Sequence, residues 1–120
     1  IQQHAGKKHK YGIVRELVGH GVGKDLHEEP QVPNYGRRGK GIKLREGLVI
    51  AIEPMVNMGT KDIKNAKDGF GILTKDNKPS AHYEHTIAVT KEKADILSDH
   101  TKVEENIKNN PEVREISIKS

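Results

Sequence analysis

Five consecutive apolar residues, Leu48-Val-Ile-Ala-Ile52, stop abruptly at Glu53-Pro54. The run is short and rich in β-branched side chains, so it predicts a strand. On a strand, Val49, Ala51, Glu53 and Met55 share one face. A carboxylate at the end of such a face has few options. Either the strand ends at Glu53 and its side chain reaches water, or the carboxylate is protonated, paired or bound to a metal.

The rest of the chain is organised around this segment. Ile1 to Lys10 predicts the end of a helix, stopped near Gly12, and Gly12 to Leu17 a short strand. Gly19 to Pro30 is Gly-rich and reads as an irregular loop, and Arg37–Gly41 as a flexible basic connection. Asn57–Lys67 is polar and turn-like. Asp68-Gly69 before Phe70-Gly-Ile-Leu73 predicts a hairpin turn, and Asp76–Ser80 another turn. His82 to Thr90 alternates as a strand does, with Ala94–Leu97 extending the sheet. Lys102–Asn110 predicts a short helix ended by Pro111. The fold class expected is α+β, a mainly antiparallel sheet with flanking helices. Residues 1–100 form the organised part and 101–120 a C-terminal tail.

Hydrophobic residues make up 32% of the 120, and about 42% once the 12 glycines are counted, against roughly 45–50% for an average domain. A small polar domain or a piece of a larger one fits that value. The first residue, Ile1, reads as the middle of a longer gene product. The absence of cysteine excludes disulfides and thiolate metal sites and suits a reducing, cytoplasmic setting. No apolar run approaches the roughly 20 residues that cross a bilayer, so no membrane partner is expected. The formal charge of +4 is spread over a solvated surface, with weak attraction to RNA as the alternative. One Phe, three Tyr and no Trp are too few for a base-stacking platform, and DNA is not an expected partner.

Four segments carry residue types capable of chemistry. Gly19-His20-Gly21-Val22-Gly23 places a histidine between glycines, which lets the backbone approach whatever the ring touches. His27-Glu28-Glu29-Pro30 follows, and reads either as a second histidine entering the same cleft or as an acidic pair capping a turn. Ile52-Glu53-Pro54-Met55 carries the carboxylate described above. In Tyr83-Glu84-His85-Thr86-Ile87, Glu84 shares a face with Thr86 and Ala88, facing either solvent or a partner. One His and two Glu some thirty residues apart suit a site assembled from sheet strands. Imidazole and carboxylate together suit a first-row divalent metal such as Mn, Fe, Co or Zn.

These residues resemble the type I methionine aminopeptidases of the bacterial kind, metallopeptidases with the pita-bread fold. The resemblance runs almost continuously from Gly12 to about Leu97. It is carried by Gly19–Gly23, His27-Glu28-Glu29-Pro30-Gln31-Val32-Pro33, Ile52–Asn57, Lys67-Asp68-Gly69-Phe70 and Ser80-Ala81-His82-Tyr83-Glu84-His85-Thr86. Proline-specific relatives usually follow the last ligand Glu with Asp, whereas His85 follows Glu84 here. The type II enzymes carry a long insertion for which the spacing from His27 to Glu53 leaves no room.

The resemblance implies a C-terminal half of a pita-bread domain and a set of roles. His20, Glu53 and Glu84 are implied as metal ligands, Glu84 bridging two divalent ions (Co, Mn, Fe or Zn) in the complete enzyme. Glu53 is also implied as proton shuttle for the attacking water, and His27 as the histidine that steadies the tetrahedral intermediate. Paired cations lower the pKa of a shared water and polarise the substrate carbonyl. Leu26 and Phe70 align with positions lining the methionine pocket, where many relatives carry larger aromatics.

The implied activity is removal of the initiator methionine from nascent proteins, with N-terminal methionyl peptides as substrates. The family draws two aspartate ligands and another catalytic histidine from an N-terminal half that nothing here matches, so this chain alone is expected to be inactive. The alternatives are a non-catalytic pita-bread binding module and a related proline-specific aminopeptidase. Lys61, Lys64 and Lys67 form a candidate ribosomal RNA contact.

Overall fold

The structure is a computed structural model that describes residues 1–110. The apolar run forms the strand β4 (Val49–Ile52), with Ile50 and Ala51 buried. Around it lies an antiparallel sheet of five strands in the order β10-β9-β4-β2-β3. Its other members are β2 (Gly19–Gly21), β3 (Glu28–Val32), β9 (His85–Val89) and β10 (Ala94–Ile96). A second sheet has the order β1-β5-β8, from β1 (Gly12–Ile13), β5 (Met55–Asn57) and β8 (Ser80–His82). The hairpin of β6 (Ile63–Asn65) and β7 (Ile72–Thr74) stands apart, with Asp68-Gly69 in its turn. A helical turn of π type (Gln2–Lys8) precedes β1, and α1 (Thr101–Asn109) follows β10. Pro111 and the rest of the tail lie outside the described residues.

The two larger sheets are one ribbon interrupted once. Ile52 pairs with His85 at the end of the β4–β9 ladder, and Met55 pairs with His82 at the start of β5–β8. Both pairs keep the same register, so Glu53 faces Glu84 and Pro54 faces Tyr83 across the gap. Pro54 has no N–H to give the ladder, and only a long bond of 3.4 Å from Tyr83 N–H to the Pro54 carbonyl spans the break.

Several segments differ from the reading of the sequence. The Gly19–Pro30 loop is instead a β2–β3 hairpin. Here glycine serves close backbone approach: a Cβ on Gly19 would sit 2.1 Å from the Ala51 carbonyl oxygen, and one on Gly21 2.2 Å from that of Glu29. No apolar alternation marks such a strand. The strand expected from His82 to Thr90 is two strands in two sheets, because its partner is broken at Pro54. The strand expected over Gly12–Leu17 ends at Ile13, since its partner β5 is only three residues long. The turn-like Asn57–Lys67 stretch contains β6, held by its pairing with β7.

The core is small: among the described residues, Ile13, Val14, Ile50, Ala51 and Ile87 are the buried apolar ones. Fully buried Asn57 ties the second sheet together. Its Nδ2 donates to the Thr60 carbonyl and its Oδ1 accepts from the Ser80 hydroxyl, each at 2.8 Å.

Candidate metal centre

Three strand ends bring the donors together. β2 carries His20 alongside β4, Glu53 immediately follows β4, and Glu84 immediately precedes β9. The ligand atoms of His20, Glu53 and Glu84 all lie within 4.8 Å of one another. Two donors on opposite sides of one first-row ion lie about 4.2 Å apart, at metal–ligand distances of about 2.1 Å. The cluster therefore needs only small side-chain adjustments to close on a divalent cation, and its donor chemistry suits one.

The backbone fixes the chemistry of His20. Its Nδ1 lies 2.8 Å from the Gly21 carbonyl oxygen, which can only accept, so Nδ1 carries a proton. The neutral ring then presents a lone pair on Nε2, which lies 3.4 Å from Glu53 Oε1. A carbonyl that sets the tautomer of a ligating histidine is a usual feature of metal sites. The His20 and Glu53 side chains are only 15% and 14% exposed. Glu84 is exposed and makes no hydrogen bond or ion pair among the described residues, which leaves its carboxylate free for an external partner.

His27 lies next to this cluster, its ring centroid 4.1 Å from that of His20. The loop that carries it is closed by Glu28, whose Oε1 accepts from the Asp25 N–H at 2.9 Å. Of the two readings of the acidic pair, turn closure therefore describes Glu28. Leu26, in the same loop, is 71% exposed, and Phe70, in the β6–β7 turn, is 94% exposed. Both side chains stand in solvent in this chain. On the other face of the ribbon Tyr83 and His85 pack edge to face, with His85 Nδ1 2.8 Å from Ser98 Oγ.

One residue with no role assigned from sequence approaches Glu53 from outside the three-donor group. His82 Nε2 lies 3.6 Å from Glu53 Oε2. Its position opposite Met55 follows from the ribbon register, which no local pattern encodes.

Comparison with known proteins places this chain in a class. The chain matches the model of metallopeptidase family M24 over residues 1–91 and belongs to that family. Within it, the chain is 53% identical over 89 residues to methionine aminopeptidase 1 of Bacillus subtilis, covering 74% of this chain and 36% of that protein. It is 49% identical over 98 residues to methionine aminopeptidase of Clostridium perfringens, covering 82% of this chain and 39% of that one. The crystal structure of methionine aminopeptidase from Thermotoga maritima superposes with a TM-score of 0.77 at 45% identity, covering 81% of this chain and 39% of that one. The corresponding Rickettsia prowazekii structure gives 0.75 at 45% identity, covering 79% and 38%. The resemblance read from the motifs is thus borne out, and the antiparallel architecture is part of the pita-bread fold. The chain spans under two fifths of the length of these relatives. No helix among the described residues is long and apolar enough to cross a membrane.

Proposed function

We propose that this chain is the ligand-bearing C-terminal half of a methionine aminopeptidase that removes initiator methionine from nascent proteins in the cytoplasm. The observation that carries this reading is the convergence of His20, Glu53 and Glu84 to within 4.8 Å, in a chain of family M24. Residues 1–100 form the catalytic half, and residues 101–120 a tail outside it.

Divalent ions bound there (two of Co, Mn, Fe or Zn in the complete enzyme) would supply Lewis-acid polarisation of the scissile carbonyl and acidify water. The protein groups do the rest. Glu53, with its limited exposure, accepts the proton of the attacking water and returns it to the leaving amine. His27, on its Glu28-closed loop, donates to the oxyanion of the tetrahedral intermediate. Glu84, whose carboxylate has no hydrogen-bond or ion-pair partner among the described residues, would hold those ions together with His20 and Glu53. Leu26 and Phe70 supply walls of the methionine pocket once the site is complete.

Three protein donors fall short of the four of a closed tetrahedral site, and further short of two sites. This chain therefore binds divalent metal weakly and does not turn over substrate unaided. Two measurements test the reading. Calorimetric titration with Co should give a binding heat for the 120-residue chain that Glu53→Gln abolishes; equal heats for both would remove the metal-centre assignment. A methionyl-peptide assay with added Mn or Co should give no turnover, and clear turnover would overturn the claim that further donors are needed.

Ribosome contact through Lys61, Lys64 and Lys67 remains part of the proposal. Lys61 is paired with Asp62 and Lys64 with Asn77, each at 2.7 Å, so these two side chains exchange local partners to reach RNA. Changing all three to Glu should weaken salt-sensitive co-sedimentation with ribosomes; unchanged sedimentation excludes the contact.

A further inference from the structure

Glu53 carries an imidazole on each of its carboxylate oxygens. His20 Nε2 approaches Oε1 at 3.4 Å and His82 Nε2 approaches Oε2 at 3.6 Å. Both separations exceed the 2.7–3.2 Å of an N–H···O bond. They match the spacing of two donors on one tetrahedral ion, about 3.4 Å apart at metal–ligand distances of about 2.1 Å. His82 also has no other polar side-chain partner among the described residues. The side chain is 46% exposed and lies on β8, an edge strand of its sheet, so it has room to adjust by rotation.

From this geometry we infer that His82 is a fourth donor of the metal centre, adding a second imidazole nitrogen on the Oε2 side of Glu53. The inference rests on the metal-centre reading above. The chain then brings two imidazoles and two carboxylates, His20, His82, Glu53 and Glu84, which still fall short of the donors that two ions need. A nitrogen added to an otherwise carboxylate-rich set shifts preference towards ions that favour imidazole, Co and Zn, over Mn. The bland alternative is that His82 only orients Glu53 through a weak ion pair. An orienting role can be filled by any donor of similar reach, whereas ligation requires the imidazole itself.

The test uses the full chain and does not depend on turnover. In the Co-loaded protein, proton NMR should show two hyperfine-shifted imidazole N–H resonances, one from His20 and one from His82. His82→Gln keeps a hydrogen-bond donor but removes the ring. It should delete one of the two resonances, lower Co affinity about tenfold and narrow the preference for Co over Mn. His20→Ala should delete the other resonance. A single shifted resonance in the parent chain, or two that persist in His82→Gln, would overturn the assignment of His82 while leaving the centre intact. Absence of Co binding in the parent chain would overturn both readings. Far-UV circular dichroism of each variant checks that the sheets remain folded.

Discussion

Glu53 and Glu84 face each other across the one gap in a continuous antiparallel ribbon. The pairs Ile52–His85 and Met55–His82 on either side share a single register. Facing carboxylates repel each other in a metal-free chain, and at the neighbouring pair Pro54 has no N–H to give the ladder, leaving the single 3.4 Å bond from the Tyr83 N–H. The same interruption leaves both side chains close to His20.

Replacing Glu84 with Gln separates affinity from stability. Glu84 is exposed and unpaired among the described residues, so the metal-free fold should change by no more than about 0.5 kcal/mol. Relief of repulsion with Glu53 sets the sign towards stabilisation. Co affinity should fall by at least about 10-fold. Melting curves in chelator alongside calorimetric Co titrations read the two effects, and a large loss of stability in chelator would contradict the picture.

The glycines flanking His20 are required by backbone contact. Gly19→Ala would place a methyl 2.1 Å from the Ala51 carbonyl oxygen, a contact that only movement of β2 away from β4 can relieve. His20 moves with β2. The variant should lose Co binding and stability together, the latter by about 2 kcal/mol or more. Gly36→Ala, with nothing within 4 Å but a φ of +132°, should cost stability without touching metal binding.

Ile50 is 1% exposed at the centre of β4. Its truncation to Ala should destabilise by about 2–5 kcal/mol, measured by urea unfolding, because it leaves a cavity where the core has few other apolar residues. In so small a core, much of the folded population should be lost at 37 °C. An effect below about 1 kcal/mol would show that the five-stranded sheet is not organised around β4.

Asp68 gives the β6–β7 turn a pH dependence. The Gly71 and Phe70 N–H groups, at 2.8 and 2.9 Å, hold its carboxyl below the ordinary carboxylate value. A depressed folded pKa means that this stabilisation is fully present above the unfolded value and is lost as pH falls through the folded one. The Gly71 amide proton shift should therefore stay constant from neutral pH to about 4 and move only below it. In Asp68→Asn the movement should vanish.

Local features of the chain determined much of this protein. The β-branched run set β4, Pro54 set its break, Asp68-Gly69 marked the β6–β7 turn, and Lys102–Asn110 anticipated α1 to within a residue at each end. Propensity, a missing N–H and turn chemistry act over a few residues, so they can be read directly. Tertiary structure alone made a strand of Gly19–Gly21, divided His82–Thr90 between two sheets and set His82 against Glu53. Each of those outcomes depends on which distant backbone a segment meets and in what register. That choice is a long-range pairing energy to which a glycine-rich or edge segment contributes almost no pattern of its own.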